Sequence, residues 1–209
     1  MYVSLGEKMF DFQKVDIRVL ETGIQNTFAK FDKMTLSQLL TKKKYTHLAE
    51  QTEQYFHKLL TLPAGKALMA MKMSGNTFYK QFLNNYGDLI YSKICISGQE
   101  KLLQKKGVYT IIVDNELVFT GVCATTFKDR FNQHIGNISA KGCFKDGTAT
   151  HCHLNARLTE AMKTSKAHFS VCPMIDTKEM NALKNSIILR FEPVWNLRLG
   201  KDLDYIYNY

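Results

Sequence analysis

Gly107-Val108-Tyr109-Thr110-Ile111-Ile112-Val113-Asp114-Asn115-Glu116-Leu117-Val118-Phe119-Thr120-Gly121-Val122 is the stretch whose reading decides the fold. Positions 108–113 and 117–122 are two runs rich in β-branched and aromatic side chains. Such residues fit a pleated, half-buried surface. Asp114-Asn115 between them is turn chemistry, so the stretch predicts a β-hairpin.

The pattern continues toward the C-terminus. Thr125 or Thr126 can cap a helix through Phe127, Phe131 and His134. A looser segment with Gly136, Gly142 and Gly147 follows, then a helix over 153–163 and a third strand over 167–174. Asp176 or Thr177 caps a last helix with Leu183, Ile187, Ile188 and Phe191 on its buried face, ended by Pro193. The order β-β-α-α-β-α predicts an α/β (α+β) class: a small three-stranded antiparallel sheet flanked by helices.

Toward the N-terminus the chain reads as helical, without a strong strand. Thr35 with Gln38 three residues on is a capping box before Leu36, Leu39 and Leu40. Leu48, Tyr55, Phe56, Leu59 and Leu60 recur at helical spacing through 47–60. Leu62-Pro63-Ala64-Gly65 breaks that helix, Met69, Met71 and Met73 follow, and 78–86 predicts another helix ended by Gly87. The change of pattern near 97–106 divides the chain into a helical basic region, 1–98, for DNA binding or dimerisation, and a second domain, 99–209.

The 209 residues carry a net charge of +9. Residues 1–106 hold 16 Lys/Arg against 9 Asp/Glu, and 107–209 hold 12 against 10. A polyanionic partner is expected, nucleic acid before an anionic membrane, with most of the field in the first half. Lys42-Lys43-Lys44 reads either as a solvated loop or as a phosphate contact. No apolar run is long enough to span a membrane, and Glu7, Asp11 and Asp16 interrupt any signal pattern, so an intracellular, cytoplasmic protein is expected. Five cysteines without a C-x-x-C pair imply free thiols; Cys143, His151, Cys152 and His153 fit no structural zinc spacing.

In the order Gly107-Val108-Tyr109, Phe119-Thr120-Gly121, Arg130 and Pro193-Val194-Trp195-Asn196, residues 107–196 resemble the GIY-YIG nuclease family. The 115–121 segment is most similar to the small phage and restriction branch of that family. The resemblance implies a metal-dependent DNA endonuclease, using Mg2+ or Mn2+ on double-stranded DNA, in a bacterial or phage-infected cell. It leaves restriction, homing and host-DNA degradation undistinguished. It gives Tyr109 a part in taking the proton from water, places Phe119 at the family's second tyrosine, and lets Arg130 brace the phosphate. His134, one helical turn after Arg130, is an acid–base or phosphate-binding candidate. Asn196 would hold the site together. As plain structure, Tyr109 is a buried strand aromatic and Arg130 a surface arginine. Lys128, His153, Arg157 and Lys163 are DNA-contact candidates, with simple surface polarity as the alternative. One site cutting two strands implies two copies of the chain or two visits.

The family's metal-ligating glutamate stands about twelve residues before the terminal asparagine, and that count from Asn196 lands on Lys184. An ammonium cannot bind a hard cation, which needs oxygen ligands. Three readings are open there: a Glu→Lys change that disables the enzyme, a carboxylate supplied by Glu179 or Glu192, or a non-catalytic DNA-binding or inhibitor protein that keeps the nuclease fold.

Overall fold

The computed structural model describes residues 2–5 and 7–196; the Tyr-rich segment 204–209 lies outside the described residues. Strand β5 (Gly107–Val113) and strand β6 (Glu116–Cys123) form the expected hairpin. Asp114 and Asn115 both have positive φ, 45° and 72°, the backbone that a tight right-twisting hairpin turn requires. β7 (Ala167–Pro173) pairs antiparallel with β5 on its other side, as the third expected strand.

The sheet nevertheless has five strands rather than three. The two additional strands, β3 (Gln13–Ile24) and β4 (Tyr91–Ile96), come from the region expected to be helical. The order across the sheet is β4-β3-β7-β5-β6. β3 alternates Val15, Ile17 and Val19 with Lys14, Asp16 and Arg18, a period of two. Val15 lies opposite Phe169 of β7 and is buried. Before it, β1 (Tyr2–Leu5) and β2 (Lys8–Asp11) form a separate two-stranded hairpin.

The chain forms two compact units that interleave along the sequence, and the boundary expected at 98/99 falls inside the first. Unit 1 comprises Met1–Leu20, Ile94–Gly136 and Leu158–Tyr209; unit 2 comprises Glu21–Lys93 and Asn137–Arg157. Unit 1 has 15 Lys/Arg against 13 Asp/Glu, whereas unit 2 has 13 against 6. Unit 2 thus carries +7 of the +9.

In unit 1 the hairpin's two faces bury different partners. Val108 and Cys172 face α7 (Thr177–Phe191), which sets Met180, Leu183 and Ile187 against them. Asp176 caps α7 by accepting the Glu179 N–H at 2.8 Å. Phe191, expected on the buried face, is exposed at the end of α7. The opposite face carries Tyr109, Ile111, Phe119 and Phe169, which packs on Phe131 with ring centroids 3.8 Å apart. Helix α4 (Glu100–Leu103) leads into the hairpin.

Unit 2 is built from short helices: α1 (Leu36–Leu40), α2 (Ala49–Phe56), α3 (Ala64–Met73), the 149–157 part of α6 (Ala149–Ala161) and several 3-10 turns. The capping box at Thr35 is formed in both directions, by Gln38 N–H to Thr35 Oγ1 at 3.2 Å and Thr35 N–H to Gln38 Oε1 at 2.9 Å. The helix expected through 47–60 is split into an α-helix between two 3-10 turns, and the one expected over 78–86 is a 3-10 turn ending at Phe82. Phe28, Tyr45, Leu68 and Phe82 are fully buried together. Lys72 enters this core because Asp88 (2.7 Å) and Asn26 (2.7 Å) accept from its ammonium. Tyr79 also donates to Asp88, and burial, then that bond, pushes its pKa up to about 12.

Candidate functional site

Tyr109 lies in the middle of β5, directly opposite Gly121 of β6. A Cβ on residue 121 would stand 2.8 Å from both the Cζ and the hydroxyl of Tyr109, so the packed ring occupies the space a side chain would need. At Gly107 a Cβ would stand 2.0 Å from the Cys172 carbonyl oxygen. Both glycines of the fragments are therefore required by close approach. Phe119 lies beside Tyr109, ring centroids 5.8 Å apart, and Phe131 meets Tyr109 edge-on at 5.2 Å.

The Tyr109 hydroxyl is buried, and that burial pushes its pKa well above the ordinary value; the Arg130 guanidinium works in the opposite direction, and Cys123 adds to the rise. Arg130 is thus close enough for its charge to be felt at the phenol. The segment that carries it begins as α5 (Phe127–Asp129), capped by Thr126, which accepts the Asp129 N–H at 3.0 Å. It then opens into a π-helical turn, Arg130–Ile135, closed by the Gly136 N–H on the Phe131 carbonyl at 2.6 Å. The opening has a tertiary cause. The Asn132 side chain accepts the Ile96 N–H at 2.8 Å, and the Gly136 carbonyl accepts the Ile94 N–H at 2.9 Å, so the turn is docked on β4. π-bulges of this kind recur at functional sites. In the wider turn Arg130 and His134 are no longer one α-helical turn apart; His134 is exposed and Arg130 half-buried.

Asn196 clamps the outer edge of β6. It accepts the Thr120 N–H (3.0 Å) and donates to the Thr120 carbonyl (2.9 Å), while the Trp195 N–H donates to the Val118 carbonyl (2.8 Å). The terminal Pro-x-Trp-Asn thereby covers a sheet edge that would otherwise present unpaired backbone groups. Trp195 is buried, as a packing residue.

Lys184 sits four residues after Met180 and three before Ile187, so it flanks the stripe of α7 that packs on the sheet, and it is half-buried. That stripe meets the face bearing Val108, the reverse of the face bearing Tyr109. Glu179, the alternative ligand, is engaged by Lys8 at 2.6 Å, which raises the Lys8 pKa. Glu192 ends α7 in a left-handed conformation and is exposed. Among the described residues, no group of three or more His, Cys, Asp or Glu is placed to hold a metal ion. The chain as it stands does not fit the Mg2+ or Mn2+ that the resemblance implies: a lysine stands at the count where the resemblance puts the ligand, and the nearest carboxylate on the helix is ion-paired.

The remaining candidates scatter. Lys128 pairs with Glu100 at 3.0 Å and Lys163 with Glu160 at 2.6 Å, both exposed in unit 1. Lys42, Lys43, Lys44, His153 and Arg157 belong to unit 2. His153 is not a surface contact. It is 3% exposed, with its ring 4.6 Å from that of Tyr86. Asn155, two residues on, is likewise buried and bonds both backbone groups of Ser92, at 3.0 and 2.8 Å. Arg157 is exposed. Sequence reasoning misses Lys141 and Lys145; Lys141 immediately before Gly142 and Lys145 two residues before Gly147, two lysines in one glycine-bounded loop, are the available signal.

Among the described residues, no helix is long and apolar enough to cross a membrane. In comparisons with known proteins, no family model, no curated protein and no solved structure matches the chain.

Proposed function

We propose that unit 1 is a DNA endonuclease module of the GIY-YIG type, built to hydrolyse phosphodiester bonds of double-stranded DNA and disabled in this chain by Lys184. The observation that carries the reading is the placement of the Tyr109 hydroxyl over Gly121 within the electrostatic reach of Arg130. A phenol can accept a proton from water only if a neighbouring cation favours its ionised form. Arg130 is the cation that works in that direction, against the larger effect of burial, and its planar donor fork suits a phosphate. Asn196 acts as a positioning residue by fixing β6 beside Tyr109. Lys184 falls at the count where the resemblance puts the metal's carboxylate, and for that reason this chain is proposed not to cut as it stands.

The test is cutting of supercoiled plasmid in Mg2+ or Mn2+. The unchanged chain is expected to leave it intact, and Lys184→Glu to nick or linearise it. A second reading, a DNA-binding or inhibitor protein that keeps the fold without the chemistry, is favoured by Phe119, which lacks the second hydroxyl, and by the burial of Tyr109. Inertness of Lys184→Glu on varied duplexes, with its fold intact, would favour that second reading.

A further inference from the structure

The basic excess of unit 2 has a focus. Two loops about one hundred residues apart in sequence are locked together around Asp146. The Tyr45 hydroxyl donates to its carboxylate at 2.5 Å, and the Asp146 N–H donates back to the Tyr45 oxygen at 3.2 Å. Lys141 forms an ion pair with the same carboxylate, and Lys42 stands 3.8 Å away. Lys44 donates to the Lys145 carbonyl at 3.1 Å. Lys43, Lys44 and Lys145 remain exposed. The two loops thus carry five lysines, Lys42, Lys43, Lys44, Lys141 and Lys145, against the one carboxylate of Asp146, an excess of four positive charges.

The platform beneath these lysines is rigid. Asn84 donates to the Gly142 carbonyl at 2.7 Å and the Phe144 carbonyl at 3.2 Å, and the Lys145 N–H donates to the Phe82 carbonyl at 3.0 Å. Gly147 lets the loop close, since a Cβ there would stand 2.3 Å from the Lys141 carbonyl oxygen. The Lys141 ammonium is further held over the Phe31 and Phe144 rings, 5.3 and 5.6 Å from their centroids. Loops whose backbone is already tied down lose little main-chain entropy on meeting a polyanion, and each phosphate their lysines neutralise releases a counterion.

We propose that the loops around Lys42–Lys44 and Lys141–Lys145 form a binding site in unit 2 for the phosphate backbone of duplex DNA. The proposal rests on the reading that this chain acts on duplex DNA. The large apolar side chains of these loops, Tyr45 and Phe144, are buried, so the site offers no apolar anchor of the kind that inserts into a lipid surface.

The test is binding of a short labelled duplex by fluorescence anisotropy, in chelator and over a range of salt. Lys43→Gln/Lys44→Gln/Lys145→Gln is compared with an equal charge change elsewhere on unit 2, Lys58→Gln/Lys66→Gln/Lys80→Gln. The site triple is expected to weaken binding by on the order of tenfold or more and to lower the salt slope by about three, one for each phosphate that is no longer neutralised. The comparison triple is expected to change the slope by less than about one. Equal weakening by both triples, unchanged binding by the site triple, or tighter binding of RNA or of phosphatidylserine vesicles than of the duplex would overturn the proposal. Should the site triple melt early, Lys43→Glu and Lys145→Glu singly give the same reading. Plasmid cutting by Lys184→Glu at saturating protein is scored separately, so that failure of this site and failure of the nuclease reading are told apart.

Discussion

Unit 1 is organised by a sheet and carries a net charge of +2, whereas unit 2 is organised by short helices and turns and carries +7. The residues that resemble a cutting site, Tyr109, Arg130, Phe119 and Asn196, all lie in the nearly neutral unit. The lysine cluster around Asp146 lies in the basic one. Under the proposed function, charge and chemistry are divided between two scaffolds. A strand holds a phenol against a glycine with little freedom, as positioning a reactive group demands. Loops tied to one carboxylate hold several cations together, as gripping a polyanion demands.

The sharpest way to break the comparison is to empty each core. Phe131→Ala in unit 1 and Phe82→Ala in unit 2 remove fully buried rings, and each is expected to cost about 3–5 kcal/mol, read as a fall in denaturant midpoint. A cost below about 1 kcal/mol for either would mean that its ring is not the keystone of that unit. Next in size is Asp146→Asn, which leaves Tyr45, Lys42 and Lys141 facing a neutral group. It is expected to cost about 1–3 kcal/mol in urea unfolding, and an unchanged midpoint would show that the two loops are held by other interactions.

Acid sharpens the contrast further, with a smaller effect. Burial, followed by the charge of Lys14, lowers the His168 pKa from its ordinary 6.5. A histidine kept neutral in the fold contributes stability that is present above that value and lost as pH falls below it. The partial burial of Asp146 opposes its ionisation, but the bonds from Lys141 and Tyr45 prevail and hold its pKa below the ordinary 3.8. Its contribution is therefore lost only as pH falls below about that value. Hydrogen-exchange protection, corrected for the intrinsic pH dependence of the exchange rate, is expected to fall around β7 between about pH 7 and 5, with no matching fall in the 141–147 loop. A parallel fall of corrected protection in both would contradict the assignment. Lys43→Gln is the smallest perturbation, expected to move stability by less than about 0.5 kcal/mol while weakening duplex binding measurably.

Much of unit 1 was legible because its signals are local. The hairpin turn at Asp114-Asn115 and the caps at Thr126 and Asp176 each act over a few residues, and all formed. β3 was missed although it alternates, because Ile17 is only half-buried and Val19 is exposed; its place in the sheet comes from pairing with β7, more than 150 residues away. The π-helical turn was not legible either, since Asn132 and Gly136 open it by docking on a distant strand. His153 reads as polar surface until Tyr86 is known to cover it. In the candidate site, the two glycines, Tyr109 and Asn196 were readable from motif order. The Asp146 cluster was not, because its partners are 101 residues apart.

The measurement closest to the central claim is cleavage of plasmid DNA in Mg2+ by Lys184→Glu and by Lys184→Glu/Tyr109→Phe, with matched folds and matched duplex affinity. Removing one proton-transfer hydroxyl is expected to slow cutting by about a hundredfold or more. Cutting that proceeds at the same rate without the Tyr109 hydroxyl would contradict the account.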